Sequence, residues 1–137
     1  MALTHIVDTS VLTRLRARAI REVIEPRASI GALARAGISD LEVGFSARSA
    51  GEWDRFMRAL EIFELIETTA EHLRRARQVQ RLLAARHQRG RKLPDLLIAA
   101  AAEATGLTVF HYDADFDRIA SVTGQACEWV VPAGSVD

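Results

Sequence analysis

The chain has 137 residues, 49% of them apolar and 26% charged, with 18 lysines and arginines balancing 18 aspartates and glutamates. At this length folding buries roughly two-thirds of the surface an unfolded chain exposes, so one globular domain over residues 1–137 is expected and a disordered or bulk polyanion-binding chain is excluded. The single cysteine, Cys127, rules out an internal disulfide or Cys-rich zinc site and suits a reducing cytoplasm, and the longest apolar run, residues 96–102, is too short to span a membrane.

His5-Ile6-Val7 predicts a short buried strand, and Asp8-Thr9-Ser10 supplies capping chemistry for a helix that follows at once. A second helix is expected over residues 22–34, with Pro26 tolerated near its first turn and Gly37 ending it. A brief strand around Ile38 then leads through Ser39 and Asp40 into a helix carrying Glu42. Residues 50–60 predict another helix, and residues 62–66 a short strand or extended connection. From Thr69 the spacing gives a long amphipathic helix in which Leu73, Ala76, Val79 and Leu83 share one face and Arg74, Arg77 and Arg81 the other, with Gly90 as its stop. Pro94 opens a helix that is apolar nearly all round and therefore buried, and Gly106 caps it. Residues 107–111 form a second buried strand, Asp113 opens a helix containing Phe116 and Ile119, and residues 128–131 supply a last strand. Short apolar strands alternating with helices make this an α/β sandwich, a parallel sheet covered on both faces.

The acids matter by position. In an open parallel sheet ligands bind beyond the carboxyl ends of the strands, where the next helices begin. Asp8 follows the first strand, Glu42 lies just after the strand expected at Ile38, Asp95 is in the first turn of the helix opened by Pro94, and Asp113 follows the strand 107–111. All four are expected on one rim. Each alone is an ordinary cap or first-turn acid. Together they repel one another unless a cation intervenes, so neutralising Asp113 is expected to be neutral or stabilising for the metal-free protein, provided its structural hydrogen bonds survive. Oxygen donors without cysteine or a histidine pair select a hard ion, Mg²⁺ or Mn²⁺, over zinc. His111, two residues before Asp113, is the one histidine expected near this rim. No phosphate-binding glycine loop and no serine-nucleophile elbow is present.

Charge is also distributed unevenly. Residues 71–92 carry eight basic side chains and one acidic, whereas residues 93–137 carry one basic and seven acidic. Arg74, Arg77 and Arg81, with Arg91 and Lys92 in the following loop, are candidates for holding phosphates beside an acidic centre that would otherwise repel a polyanion. The alternative reading of this helix is a solvated face.

The segments Ile6-Val7-Asp8-Thr9-Ser10-Val11-Leu12, Ile38-Ser39-Asp40-Leu41-Glu42-Val43, Leu93-Pro94-Asp95-Leu96-Leu97-Ile98-Ala99-Ala100 and His111-Tyr112-Asp113-Ala114-Asp115-Phe116 resemble, in order and spacing, the PIN-domain ribonucleases of VapC type. The resemblance implies a PIN-like three-layer sandwich with a central parallel sheet and an Mg²⁺- or Mn²⁺-dependent endoribonuclease toxin that cleaves RNA with a metal-activated water. It also implies a homodimer inhibited by a VapB-type antitoxin within a toxin–antitoxin hetero-oligomer. Carried over by position, Asp8, Glu42, Asp95 and Asp113 match the acidic quartet, with Asp8, Asp95, Asp113 and Asp115 as metal ligands. His111 departs from the pattern, since many relatives carry Thr or Ser there. The competing class is a non-catalytic PIN-like module that binds RNA or protein through the same rim.

Overall fold

The computed structural model describes residues 2–88 and 92–137. Five parallel strands lie in the order β3-β2-β1-β4-β5: β1 His5–Val7, β2 Leu33–Ala36, β3 Glu64–Ile66, β4 Thr108–His111 and β5 Cys127–Trp129. The helices are α1 Thr9–Leu12, α2 Arg18–Ser29, α3 Gly37–Gly44, α4 Ala50–Leu60, α5 Ala70–Ala85, α6 Leu93–Thr105 and α7 Asp115–Thr123.

Side-chain alternation along the strands divides the core into two layers. Ile6, Ala34 and Val109 face one way and pack with Val79, Leu83, Ile98, Ala102, Phe116 and Ile119 of α5, α6 and α7. Val7, Leu33 and Phe110 face the other and meet Val11, Ile20, Ile24, Leu60 and Phe63. The register sets Ile6 against Val109 and Val7 against Phe110. After β1 the chain winds outward through β2 and β3, then returns to the other side of β1 as β4 and β5. The direction of winding therefore reverses between β1 and β4, where an open α/β sheet forms its ligand crevice.

Several elements differ from the sequence expectation. The helix expected over 22–34 is α2, Arg18–Ser29, which puts Pro26 in its interior. Leu33 and Ala34, assigned to that helix, begin the strand β2, Leu33–Ala36, and Ile38, expected in a strand, belongs to α3. Gly31, with φ of 72°, makes the turn that separates α2 from β2, a backbone conformation a side chain resists. Alanine and leucine carry no period that distinguishes a buried four-residue strand from a helix end, and pairing with β1 and β3 decides the matter. Leu73 does not join the buried face of α5: it is 52% exposed, and His72 is buried instead, its Nδ1 accepting from the Thr69 N–H within a reciprocal cap. Gly90 lies outside the described residues. α5 already closes at Ala85, with His87 at φ 59° and the Gln88 N–H donating to the Leu83 carbonyl.

Candidate active site

The carboxyl ends of β1 and β4 and the amino end of α6 meet in a cleft of ≈ 210 Å³ lined by Asp8, Thr9, Arg14, Glu42, Lys92, Asp95, Tyr112 and Asp113. A larger hollow of ≈ 350 Å³ around Gly106 and Gly124 opens at the opposite end of the strands, where the charged lining is Arg75 and Glu103, already paired with each other.

Asp8 leaves the end of β1 in extended conformation and caps α1: its Oδ2 accepts from the Ser10 N–H at 2.9 Å. The backbone N–H of Asp8 donates to the Phe110 carbonyl, which extends the β1–β4 ladder to the rim. Asp95 sits in the first turn of α6, Pro94 beside it costing no hydrogen bond there. Both carboxylates are almost wholly buried, 2% and 4% exposed, and each keeps one buried oxygen, Asp8 Oδ1 and Asp95 Oδ2, without a hydrogen-bond partner among the described residues. A buried polar atom left unpaired costs free energy, so these oxygens are built for something other than protein. Burial, with the charges of Asp8 and Asp113 added, pushes Asp95 up to about 8. Burial also raises Asp8, against the lowering effect of its bonds to Ser10, and Glu42 adds to the rise.

Asp113 behaves differently. Burial pulls its carboxyl upward, but Lys92 Nζ at 2.8 Å from Oδ2 and the Asp115 N–H at 2.9 Å from Oδ1 outweigh burial and hold it below its ordinary value. Neutralising Asp113 therefore removes a favourable ion pair, and the expected stabilisation of the metal-free protein does not follow. Asp95, Asp113 and Asp115 each offer an oxygen within 4.8 Å of the others. Asp8 stands outside this trio, on the β1 side of the cleft, close enough for its charge to raise Asp95.

Glu42 comes from α3. The Thr9 hydroxyl lies 2.7 Å from Glu42 Oε1 and 2.8 Å from Ser39 Oγ. One hydroxyl proton serves one acceptor, so Thr9 donates to the carboxylate and Ser39 completes the chain. His111 lies in the core rather than in the cleft, stacked on Phe116 and tilted against Trp129, with Nδ1 accepting from the Asp113 N–H. Asp117 is exposed and its carboxylate accepts from Trp129 Nε1.

Arg74, Arg77 and Arg81 are exposed along α5, and none lines the cleft. Arg74 pairs with Glu71. Arg91 lies outside the described residues. Lys92 does reach the cleft, but as a partner of Asp113. Arg14, absent from the sequence reading, lines the cleft: its Nη1 donates to the Ser10 carbonyl at 2.7 Å, and its guanidinium lies over the Tyr112 ring, 5.1 Å from the centroid. Nothing in local sequence marks Arg14. Thr9 stood in the first motif but was legible there only as a capping residue.

An all-oxygen donor set holding two unpartnered buried carboxylate oxygens, with three carboxylates within reach of one another, fits a hard divalent cation. The sequence from residue 5 to residue 122 matches the PIN domain model. The chain belongs to the PIN-domain family. Among PIN-domain proteins it is 64% identical to Ribonuclease VapC51 of Mycobacterium tuberculosis (strain ATCC 25618 / H37Rv) over 137 residues, the whole of both chains. It is 40% identical to Ribonuclease VapC21 of Mycobacterium tuberculosis (strain CDC 1551 / Oshkosh), covering 98% of this chain and 99% of that one. The fold matches that in DNA-bound VapBC from Salmonella typhimurium with a TM-score of 0.76 at 19% identity, over 94% of this chain and 99% of that one. It also matches VapBC2 from Rickettsia felis bound to a promoter DNA fragment, with a TM-score of 0.75 at 17% identity, over 93% and 98%. The three-layer arrangement expected for a PIN domain is thus the one this chain adopts.

Proposed function

We infer that this PIN domain is an endoribonuclease toxin of the VapC type, which hydrolyses RNA phosphodiester bonds in the acidic cleft and is silenced by a cognate VapB-type antitoxin. The observation that carries the reading is the convergence of Asp8, Asp95 and Asp113 at the switch point, with two buried carboxylate oxygens left unpartnered. Full-length identity of 64% to a ribonuclease supports it.

Asp95, Asp113 and Asp115, with Asp8 facing them, would hold Mg²⁺ or Mn²⁺. Such an ion, when bound, lowers the pKa of a water and neutralises charge growing on the phosphoryl oxygens. The chain's own residues do the rest. Glu42, its Oε1 fixed by Thr9, keeps its other oxygen for orienting a water or accepting its proton. Arg14, held over Tyr112, presents a cation at the lip where a scissile or flanking phosphate enters. Lys92 serves a phosphate at the cleft itself, and Arg74, Arg77, Arg81 and Arg91 take phosphates farther along the strand, in keeping with the basic run 71–92. A homodimer in the cytoplasm, assembled with antitoxin into a hetero-oligomer, completes the proposal. Among the described residues no helix is long and apolar enough to cross a membrane.

The test is expression of the chain alone with mapping of cellular RNA ends. Reproducible cuts and growth arrest, both lost in Asp95→Asn and relieved by the neighbouring antitoxin gene, are expected. Arrest that persists in Asp95→Asn overturns the nuclease reading in favour of a binding module.

A further inference from the structure

Lys92 is the only lysine in the chain, and it stands immediately before α6, three residues ahead of Asp95. Its ammonium lies 2.8 Å from Asp113 Oδ2, and its charge is felt by Asp95 and Asp115 as well. The Lys92 charge therefore reaches all three carboxylates of the candidate metal trio, and Arg118 Nη1 also pairs with Asp115 Oδ1 at 3.2 Å.

The contact is lightly held. It is a single hydrogen bond from the tip of a four-carbon stem, and the lysine side chain is 62% exposed. The ion pair Arg35–Asp40 shows the contrasting, permanent construction: two N–H groups meet both carboxylate oxygens at 2.7 and 3.2 Å, the side chains are largely buried, and the same guanidinium also binds the Leu60 and Phe63 carbonyls. In Asp113 the backbone N–H of Asp115 fixes Oδ1, so the oxygen held by Lys92 is the one that no backbone group claims among the described residues. A divalent ion held by Asp113 through that oxygen would meet the ammonium there, and like charges sharing one acceptor repel.

We propose, resting on the nuclease reading above, that Lys92 is a displaceable internal counter-cation: it neutralises the carboxylates of the metal-free protein, is expelled from Asp113 by the divalent ion, and once expelled holds a phosphate of the RNA in the same cleft. Lys92 thereby lowers the affinity of the site for metal below what its carboxylates alone provide. It also makes RNA binding and metal binding reinforce each other, because the lysine is free for phosphate only when the ion has taken its place.

Titration calorimetry with Mn²⁺ on the wild type, Lys92→Met and Lys92→Arg tests the first half. Lys92→Met is expected to bind Mn²⁺ roughly fivefold more tightly, the ratio matching the upper range of an exposed ion pair, and Lys92→Arg to stay near the wild type. Because the chain has one lysine, protein labelled with ¹³C-lysine gives a single Cε resonance. Added Mg²⁺ is expected to shift and sharpen it, towards the position it already occupies in metal-free Asp113→Asn. With a cleavage-resistant 2′-O-methyl RNA, Mg²⁺ should steepen the salt dependence of binding by about one phosphate contact in the wild type and leave that of Lys92→Met unchanged. Unchanged or weaker Mn²⁺ binding by Lys92→Met, or a lysine resonance indifferent to Mg²⁺, overturns the exchange while leaving the nuclease reading intact. A wild type that binds no Mn²⁺ overturns both.

Discussion

Thr9 Oγ1 lies 2.7 Å from Glu42 Oε1, a hydrogen bond that joins α1, which follows β1, to α3, which follows β2. Two residues 33 apart in sequence are thereby fixed to each other at the rim, with buried Ser39 closing the chain. Thr9→Val keeps the shape of the side chain and removes the hydroxyl, leaving Ser39 and Glu42 each short of a partner. The expected result is a loss of about 1–3 kcal/mol of stability and a lower kcat, with Thr9→Ser close to the wild type on both counts. Urea denaturation and initial cleavage rates check the two.

Asp95 gives the metal-free protein a distinctive dependence on pH. Its folded-state pKa of about 8 exceeds the value of 3.8 that it has when exposed, so the folded state binds the proton more tightly. The contribution is therefore fully present below about pH 4 and is lost progressively as pH rises towards 8. Asp8, raised in the same direction, adds to the slope, while His72 and His111, lowered by burial, oppose it below their ordinary value of 6.5, favouring the fold as pH rises towards it. The difference between the wild type and Asp95→Asn isolates the aspartate: the variant should gain on the order of 1–3 kcal/mol by pH 8, a range limited by the water that reaches the cleft. Chemical denaturation in chelator from pH 5 to pH 8.5 measures it, and equal slopes for the two proteins contradict the burial of this carboxylate.

The three acids of the last motif should separate cleanly. Asp113→Asn is expected to abolish cleavage, Asp115→Asn to reduce it and Asp117→Asn to leave it nearly intact, since Asp117 is exposed and its contact with Trp129 can be kept by the amide oxygen. In chelator, Asp113→Asn should cost up to about 1 kcal/mol through loss of the Lys92 pair. Saturating Mn²⁺ should stabilise the wild type by about 2.7 kcal/mol at a hundred times its dissociation constant, Asp117→Asn equally, and Asp113→Asn less. Thermal melts with and without Mn²⁺ read all of these together.

The cations should divide by the length of the RNA. On an oligonucleotide that only fills the cleft, Arg14→Gln is expected to weaken binding and flatten its salt dependence by about one contact, whereas joint replacement of Arg74, Arg77 and Arg81 by Gln changes little. On RNA long enough to run over α5, the triple variant should flatten the slope as well. A triple variant that behaves as the wild type at every length assigns this helix face to solvent.

What the sequence by itself determined is whatever neighbouring residues can settle. β1 passing into a helix through Asp8, the burial of α6, the left-handed cap at Gly106, and Asp113 at the end of β4 all follow from apolar spacing and from capping chemistry within a turn of chain. Because every strand runs the same way, placing Asp8, Asp95 and Asp113 at strand exits and helix starts was enough to put them on one rim. The tertiary structure alone decided what distance controls. Residues 33–36 became β2 because β1 and β3 supply their backbone partners, which no local period announces. His111 turned into the core because Phe116 and Trp129 enclose it, and Arg14 entered the cleft through contacts with Ser10 and Tyr112. Lys92, legible only as one more member of a basic run, came to rest on Asp113 because strand order carries the start of α6 to the exit of β4. Electrostatic partners are chosen by separation in space, which falls off within a few ångströms and leaves no trace in composition or periodicity.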